Sequence, residues 1–114
     1  MTDIAKAVGF ATHCLKWTDP WEAETMYGRL VFDSDSDRQF NPDSATDLER
    51  ALQEFLGKRY FIQINRGTSC LFHWCVIVGL QDLSTRGVNF DNAQAEGEDL
   101  RDAIFDACVA ASRL

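Results

Sequence analysis

The chain has 114 residues, a length that fits one domain and leaves little room for two, so we expect a single domain over residues 1–114. Hydrophobic residues make up 46% of the chain, enough for an ordinary core. The net charge of −7 argues against direct binding to nucleic acid or to an anionic membrane, because both need clustered Lys and Arg. An acidic protein suits instead a protein partner with a basic surface.

The cysteines and the first residues bear on the compartment. Four cysteines are widely spaced in apolar surroundings, without a Cys-x-x-Cys pair: Cys14, Cys70, Cys75 and Cys108. Residues 1–6 lack the basic start and apolar block of a signal peptide. No apolar run approaches the roughly 20 residues that span a bilayer. We therefore expect buried free thiols in a cytoplasmic protein.

The first predicted element is a helix over residues 3–17. Its apolar residues recur at three- and four-residue steps: Ile4, Ala7, Val8, Ala11, Cys14 and Leu15. Thr2 or Asp3 can cap its start. Pro20 marks its end, because a proline disfavours helical backbone at the preceding Asp19.

Two tryptophans, Trp17 and Trp21, flank this break. Large aromatic side chains in small domains are mostly packing residues, so we expect both to anchor the first helix on the core. The alternative is an exposed aromatic patch that contacts a partner.

A strand is predicted over Met26 to Phe32, followed by a polar loop over Asp33 to Asp43. The loop carries three alternating carboxylates that match the first ligand positions of a calcium-binding EF-hand: Asp33, Asp35 and Asp37. The glycine and glutamate that this motif needs at positions 6 and 12 are replaced by Arg38 and Ser44. We therefore predict a solvated acidic loop and no metal site, with calcium binding as an alternative.

The second helix has a candidate cap and a candidate stop. Thr46-Asp-Leu-Glu49 fits a capping box, in which the Thr46 hydroxyl accepts from an early amide and Glu49 reaches back. The apolar face that follows consists of Leu48, Ala51, Leu52, Phe55 and Leu56. Gly57 is placed to end the helix in a left-handed conformation.

Two apolar, β-rich runs, Arg59–Asn65 and Leu71–Leu80, are joined by the glycine-containing turn Arg66-Gly-Thr-Ser69. This pattern predicts a β-hairpin at the centre of the fold. Both strands are apolar on both sides, which predicts a helix or a partner subunit on each face of the sheet. A homo-oligomer is therefore possible.

The remaining pattern completes the fold. Gln81 to Gly87 is predicted as a polar turn, Val88 to Phe90 as a short third strand, and Glu96 to Asp99 as the start of the last helix. The buried stripe of that helix consists of Leu100, Ala103, Ile104, Ala107, Cys108 and Ala111. The order predicts an α+β domain in which a small antiparallel sheet and three helices form one α/β/α-type sandwich.

Three blocks resemble a known family: Val8-Gly-Phe10 to Trp17, Phe40 to Phe55, and Asp102 to Ala111. Together they cover about half of the chain. They resemble the phage ABA (α/β/α) sandwich domain, a family of small phage-encoded proteins. The resemblance implies a phage or prophage origin and an accessory role. The family has no established catalytic residues, so it supplies none here.

The histidines and cysteines do not build a predicted catalytic or metal site. His73 and Cys75 share one face of a strand, whereas His13 and Cys14 are adjacent on a helix and point about 100° apart. A structural zinc site needs four converging ligands. Burial would also raise the pKa of Cys75 and make its thiol inert. We predict core residues, no cofactor and no enzymatic activity, although either histidine is a candidate base for an enzyme.

The acidic C-terminal segment suggests a protein-binding function. Glu98, Asp102 and Asp106 lie at four-residue spacing, where like charges mildly destabilise a helix. That cost favours a docking surface for a basic partner. We therefore predict a non-enzymatic protein that binds a host target stoichiometrically, such as an inhibitor of a host-defence component.

A second hypothesis is an oligomeric sponge that sequesters a nucleotide immune signal between its subunits. In this hypothesis Arg66 and Arg86 bind the phosphates and Trp74 stacks on the base. It predicts an oligomer in solution and thermal stabilisation by a nucleotide.

Overall fold

The computed structural model describes residues 3–57, 59–66, 73–80 and 92–114. Within these ranges the chain forms three helices and two three-stranded antiparallel sheets. The elements in chain order are α1 (Ile4–His13), β1 (Trp21–Thr25), β2 (Gly28–Phe32), β3 (Gln39–Phe40), α2 (Ala45–Leu56), β4 (Tyr60–Arg66), β5 (Trp74–Leu80), β6 (Asn92–Gly97) and α3 (Leu100–Ala111). The α+β class is confirmed, but the single predicted sheet is replaced by two.

Helix α1 starts as predicted and ends early. The Asp3 carboxylate accepts a hydrogen bond from the Ala5 backbone N–H at 3.0 Å and caps the first turn. The helix ends at His13 rather than at residue 17, because Lys16 takes a left-handed backbone conformation with φ of 59°. The Trp17 N–H then donates to the Ala11 carbonyl at 3.0 Å, so the chain folds back over the helix end before it reaches the proline.

The first sheet contains a hairpin that the sequence did not predict. β1 pairs with β2, and the connection between them is the two-residue turn Met26–Tyr27. The prediction of one strand from Met26 to Phe32 was therefore wrong in its first two residues. Gly28 has φ of 102°, a conformation that glycine adopts without a steric penalty, so it serves the turn rather than a strand interior.

The short strand β3 lies inside the segment predicted as polar loop. Its two residues pair with the end of β2, so that Phe40 lies opposite Val31 and Gln39 opposite Phe32. Phe40 and Val31 are both buried. This pairing draws the loop back onto the core.

The N-cap of helix α2 lies two residues before the predicted cap Thr46. Ser44 is the N-cap, and its hydroxyl accepts from the Asp47 N–H at 3.4 Å, so the predicted capping box was wrong and Thr46 lies inside the helix. Asp47 in turn accepts from the Asn41 N–H at 2.9 Å, which secures the approach to the helix. Gly57 ends the helix as predicted, with a positive φ of 48°, but its ψ of −130° differs from the predicted left-handed conformation.

The second sheet has the order β4-β5-β6 and contains the predicted central hairpin. The predicted strand Val88–Phe90, the turn before it and the residues joining β4 to β5 lie outside the described residues. The third strand that the structure shows is β6, so the prediction that Glu96 begins the last helix was wrong. Helix α3 begins after Asp99, whose carboxylate accepts from the Asp102 N–H at 3.0 Å.

One face of the second sheet forms part of the core. Val76 and Val78 on β5 are fully buried, and α3 packs against β5 and β6. The opposite face carries Gln63, Ile77 and Gln94, which are half-buried or exposed. Of the two covered faces that the sequence predicted, the described part of the chain supplies one.

Phenylalanine rings join the helices at the centre of the core. Phe10 on α1 is fully buried, and its ring centroid lies 5.1 Å from that of Phe105 on α3, 6.1 Å from Phe55 on α2 and 6.3 Å from Phe40 on β3. The helix layer and the first sheet are therefore held by one continuous aromatic cluster.

Candidate functional site

The predicted acidic face does not form one helix surface. Glu98 lies before α3 and is exposed, whereas Asp102 and Asp106 lie on the helix. The Asp102 carboxylate accepts from the Asp3 N–H at 2.8 Å, and the Asp106 carboxylate lies 2.7 Å from the Lys6 ammonium. This hydrogen bond to Asp106 raises the pKa of Lys6 above its ordinary value. Both helical carboxylates thus bind α1.

Two of the three residues that were predicted to bind a nucleotide lie side by side. Arg66 on β4 is directly opposite Trp74 on β5, and its guanidinium carbon lies 4.9 Å from the centroid of the indole ring. Arg86 lies outside the described residues. A cation–π contact uses the flat face of the guanidinium, so the N–H edge of Arg66 can still donate to a phosphate.

The acidic loop is organised by a buried carboxylate rather than by solvent. Asp33 is buried and accepts from the N–H groups of Asp35 and Thr18 at 3.1 Å, from the Ser36 hydroxyl at 2.8 Å and from the Arg38 guanidinium at 3.2 Å. The Asp35 N–H lowers the pKa of Asp33 most among these donors, against the opposing effect of burial. Across the described ranges no cluster of three His, Cys, Asp or Glu residues could hold a metal ion.

We expect the substitution Asp33→Asn to lower the Tm by several degrees near neutral pH, because an amide replaces a carboxylate facing four donors. Folding lowers the pKa of Asp33 below its ordinary value of 3.8. The ionised Asp33 carboxylate therefore stabilises the fold fully above pH 3.8, and this stabilisation is lost as the pH falls toward the pKa of the folded state. The difference in Tm between the two proteins should therefore begin to shrink as the pH falls below about 3.8. Asp37→Asn in the same loop is the control, because Asp37 is exposed. Equal Tm values at pH 7 would contradict this role of Asp33.

Two of the thiols are confirmed as buried and free. Burial raises the pKa of Cys14 to about 12 and also raises that of Cys108, so neither is a reactive nucleophile. Cys75 is free but only half-buried, on the outer face of the second sheet, where its sulfur accepts from the Gln94 amide at 3.1 Å. Cys70 lies outside the described residues.

Among the described residues, the most exposed large apolar side chains lie on the β1–β2 hairpin. Trp21 is 49% exposed, Met26 88% and Tyr27 77%. The prediction for the two tryptophans therefore holds for Trp17, which is 6% exposed, and fails for Trp21, for which the alternative of an exposed patch applies. We name Trp21, Met26 and Tyr27, together with Glu22 and Glu24, the hairpin surface.

The hairpin surface is held in place by local contacts. The Trp21 ring stacks on Phe32 with a centroid distance of 4.6 Å and an interplanar angle of 21°. At the turn, the Thr25 hydroxyl accepts from the Tyr27 N–H at 3.1 Å and donates to the Gly28 carbonyl at 3.0 Å. These contacts leave the aromatic side chains exposed but restrict the backbone that carries them.

Carboxylates line the same strand. Glu22 and Glu24 are exposed and alternate with Trp21 along β1, which is the edge strand of the described first sheet. Charges on an edge strand also discourage unwanted pairing with other strands. The sequence signal for this surface was the alternating segment Trp21–Thr25 followed by a turn ending in glycine, a pattern typical of a hairpin.

None of the described helices has the length and apolar character needed to cross a membrane. No protein-family model matches the chain, and no curated protein or solved structure matches it significantly. The resemblance to the phage ABA sandwich domain therefore stays a prediction that rests on three blocks of sequence.

Proposed function

We propose that the protein is a non-enzymatic binding protein that docks stoichiometrically, through its hairpin surface, on a basic face of a protein partner. The observation that carries this proposal is the concentration of three exposed large apolar side chains on one hairpin, whose first strand carries two exposed carboxylates on the face opposite Trp21. With the phage origin that the resemblance implies, the partner is a host protein in the host cytoplasm, and inhibition of a host-defence component is the expected outcome.

Buried aromatic anchors supply most of the affinity in many protein interfaces. Burying a large apolar side chain stabilises a complex by roughly 1.5–3 kcal/mol. Trp21 loses little freedom on docking, because its ring is already stacked on Phe32. An exposed side chain that is ordered before binding is therefore a suitable anchor.

The carboxylates define the charge of the partner. Glu22 and Glu24 are part of the acidic surplus that gives the protein its net charge of −7. An acidic protein attracts a basic surface during diffusional encounter. Arg29, which lies opposite Glu24, contacts the Asp43 carboxylate at 3.0 Å, so its own charge is offset locally. The proposed docking site is thus the hairpin surface and not the acidic helix. Glu98, which is exposed, adds to the negative charge that attracts the partner.

A photo-crosslinking amino acid at position 27 provides the first test, because Tyr27 lies at the tip of the hairpin. The captured protein is identified, purified and titrated against the wild type. We expect the triple substitution W21S/M26S/Y27S to weaken binding more than about 100-fold. We expect E22K/E24K to slow association and to reduce the dependence of the rate on salt.

Two controls separate this surface from general effects of sequence change. Leu114→Ser removes an exposed apolar side chain elsewhere, and Glu49→Lys reverses an exposed charge on α2. Both variants should bind as the wild type does. A complex that survives the triple substitution, or a partner whose contact face is acidic, would contradict the proposal.

Sequestration of a nucleotide signal is the second candidate function. It is favoured by the contact between Arg66 and Trp74, which places a phosphate donor beside an aromatic ring. A nucleotide that perturbs these two residues, in a protein that is an oligomer in solution, would support this function. If the protein is a monomer and no nucleotide that is tested perturbs Arg66 or Trp74, sequestration of a nucleotide is excluded.

A further inference from the structure

A cavity of about 300 Å³ lies where the C-terminal ends of the three helices come together. Its walls include His13 and Lys16 from the end of α1, Arg59 and Tyr60 from the start of β4, and Ser112 from the end of α3. This cavity lies apart from the hairpin surface and from the pair Arg66 and Trp74, since none of those residues lines it.

The charge of the cavity is opposite to that of the protein. The chain has 18 Asp and Glu and 11 Lys and Arg residues, yet among the described residues that line this cavity are one lysine, one arginine and one histidine and no carboxylate side chain. Lys6, Arg29 and Arg38 each contact a carboxylate elsewhere in the fold. The basic side chains at the cavity have no ion pair with any described residue: His13, Lys16 and Arg59. The positive charges of Lys16 and Arg59 are therefore available to a ligand.

The ends of the helices explain part of this charge. A helix C-terminus carries a partial negative charge, and a cation in the last turn offsets it. His13, the last residue of α1, fits that role. Lys16 and Arg59 each lie three residues beyond the helix they follow, where the dipole effect has fallen off. The helix dipoles therefore do not account for the charges of Lys16 and Arg59.

The backbone conformation of Lys16 is a second observation that favours a binding site in this cavity. Its φ of 59° is a conformation that glycine adopts at lower cost. Strained residues of this kind are often found at binding sites, where the side chain has a use that offsets the strain. Here the lysine side chain adds a charge to the cavity wall.

We propose that this cavity binds a small phosphate-bearing ligand. Lysine and arginine donate charge-assisted hydrogen bonds to phosphate oxygens. The Ser112 hydroxyl also lines the cavity, but it donates its proton to the Val109 carbonyl at 2.6 Å. Tyr60 forms an ordered aromatic wall, because its ring stacks on Phe55 at 4.6 Å and lies under the Arg59 guanidinium at 5.5 Å. This inference goes beyond the proposed function and does not depend on the hairpin surface.

The test is a titration of ¹⁵N-labelled protein with inorganic phosphate and, separately, with adenosine 5′-monophosphate in a phosphate-free buffer. We expect saturable shifts at His13, Lys16, Arg59 and Ser112 with both probes. Tighter binding of the nucleotide would identify an organic phosphate as the ligand, and equal binding would identify free phosphate. No saturable shift up to about 10 mM of either probe, or shifts confined to Arg66 and Trp74, would overturn the proposal.

Substitutions assign the binding to the basic side chains. We expect Arg59→Gln to weaken binding at least about tenfold, since it removes a charge-assisted donor. Arg50→Gln makes the same change of charge at an exposed residue that does not line this cavity, and should leave binding unchanged. Equal effects of the two variants would overturn the proposal.

A second pair of variants separates binding from stability. Lys16→Gly should raise the Tm, because it relieves the backbone strain, and at the same time weaken phosphate binding. Asp19→Gly relieves a similar strain at φ of 41°, where no cavity charge is lost, and should raise the Tm with binding intact. Undiminished binding by Lys16→Gly would remove the proposed role of this lysine.

Discussion

Replacing Phe10 with alanine is expected to lower the free energy of unfolding by about 3–5 kcal/mol. The ring is fully buried and contacts rings from α2, α3 and β3, so its removal leaves a cavity at the point where these elements meet. Small domains have a total stability of about 5–15 kcal/mol, so this single change removes a large part of it.

The measurement is denaturant unfolding followed by circular dichroism, with a thermal melt in parallel. For a domain of this size we expect the Tm of the Phe10→Ala variant to fall by about 12–20 °C. Val8→Ala on the same helix is the control, because Val8 is only half-buried and should cost about 1 kcal/mol. A loss below about 1 kcal/mol for Phe10→Ala would show that the aromatic cluster does not hold the helices together.

Reversing Asp102 and Asp106 together to lysine is expected to lower the free energy of unfolding by about 2 kcal/mol. The double change removes the acceptor of the Asp3 N–H and the partner of Lys6, and it places two new positive charges near Lys6. The Lys6–Asp106 pair itself contributes less than about 1 kcal/mol, because both side chains are more than one-third exposed.

Glu98→Lys is the matched control for this double reversal. Glu98 precedes α3 and is exposed, so its reversal should change stability by less than about 0.5 kcal/mol. Unfolding curves of the two variants give the comparison, and wild-type stability of the double variant would contradict the role assigned to the carboxylates. If the contrast holds, Glu98→Lys is the only one of these three charge reversals whose effect on partner binding can be measured without a loss of stability.

The sequence predicted those elements whose pattern depends on near neighbours. The apolar stripe of α3 repeats at helical spacing, and the β4–β5 hairpin consists of two β-rich runs. β1 was missed, because Met26 to Phe32 was interpreted as one strand, whereas Met26 and Tyr27 form the turn that joins β1 to β2. β6 was missed in part, because its acids resemble the first turn of a helix, whereas Ala93 and Ala95 alternate inward as strand residues do.

The candidate sites depended more on tertiary structure. Asp102 and Asp106 were interpreted as a docking face, because nothing local shows that they bind residues 99 and 100 positions away. The basic cavity joins His13, Arg59 and Ser112, which are far apart in sequence and form no motif. Arg66 and Trp74 do lie side by side, because the register of a hairpin brings its two strands together over a short stretch of chain.

The packing of α1 against α3 sets the order in which the chain can fold. Their contacts join residues about 100 positions apart, so α1 leaves the ribosome long before α3 is made. At a synthesis rate of 5–20 residues per second this interval is about 5–20 s. During that time the face of α1 that packs on α3 lacks this partner, and of the two helices that contact Phe10 only α2, through Phe55, has been made. The aromatic core therefore closes only after α3 has emerged, and such long-range closure slows folding.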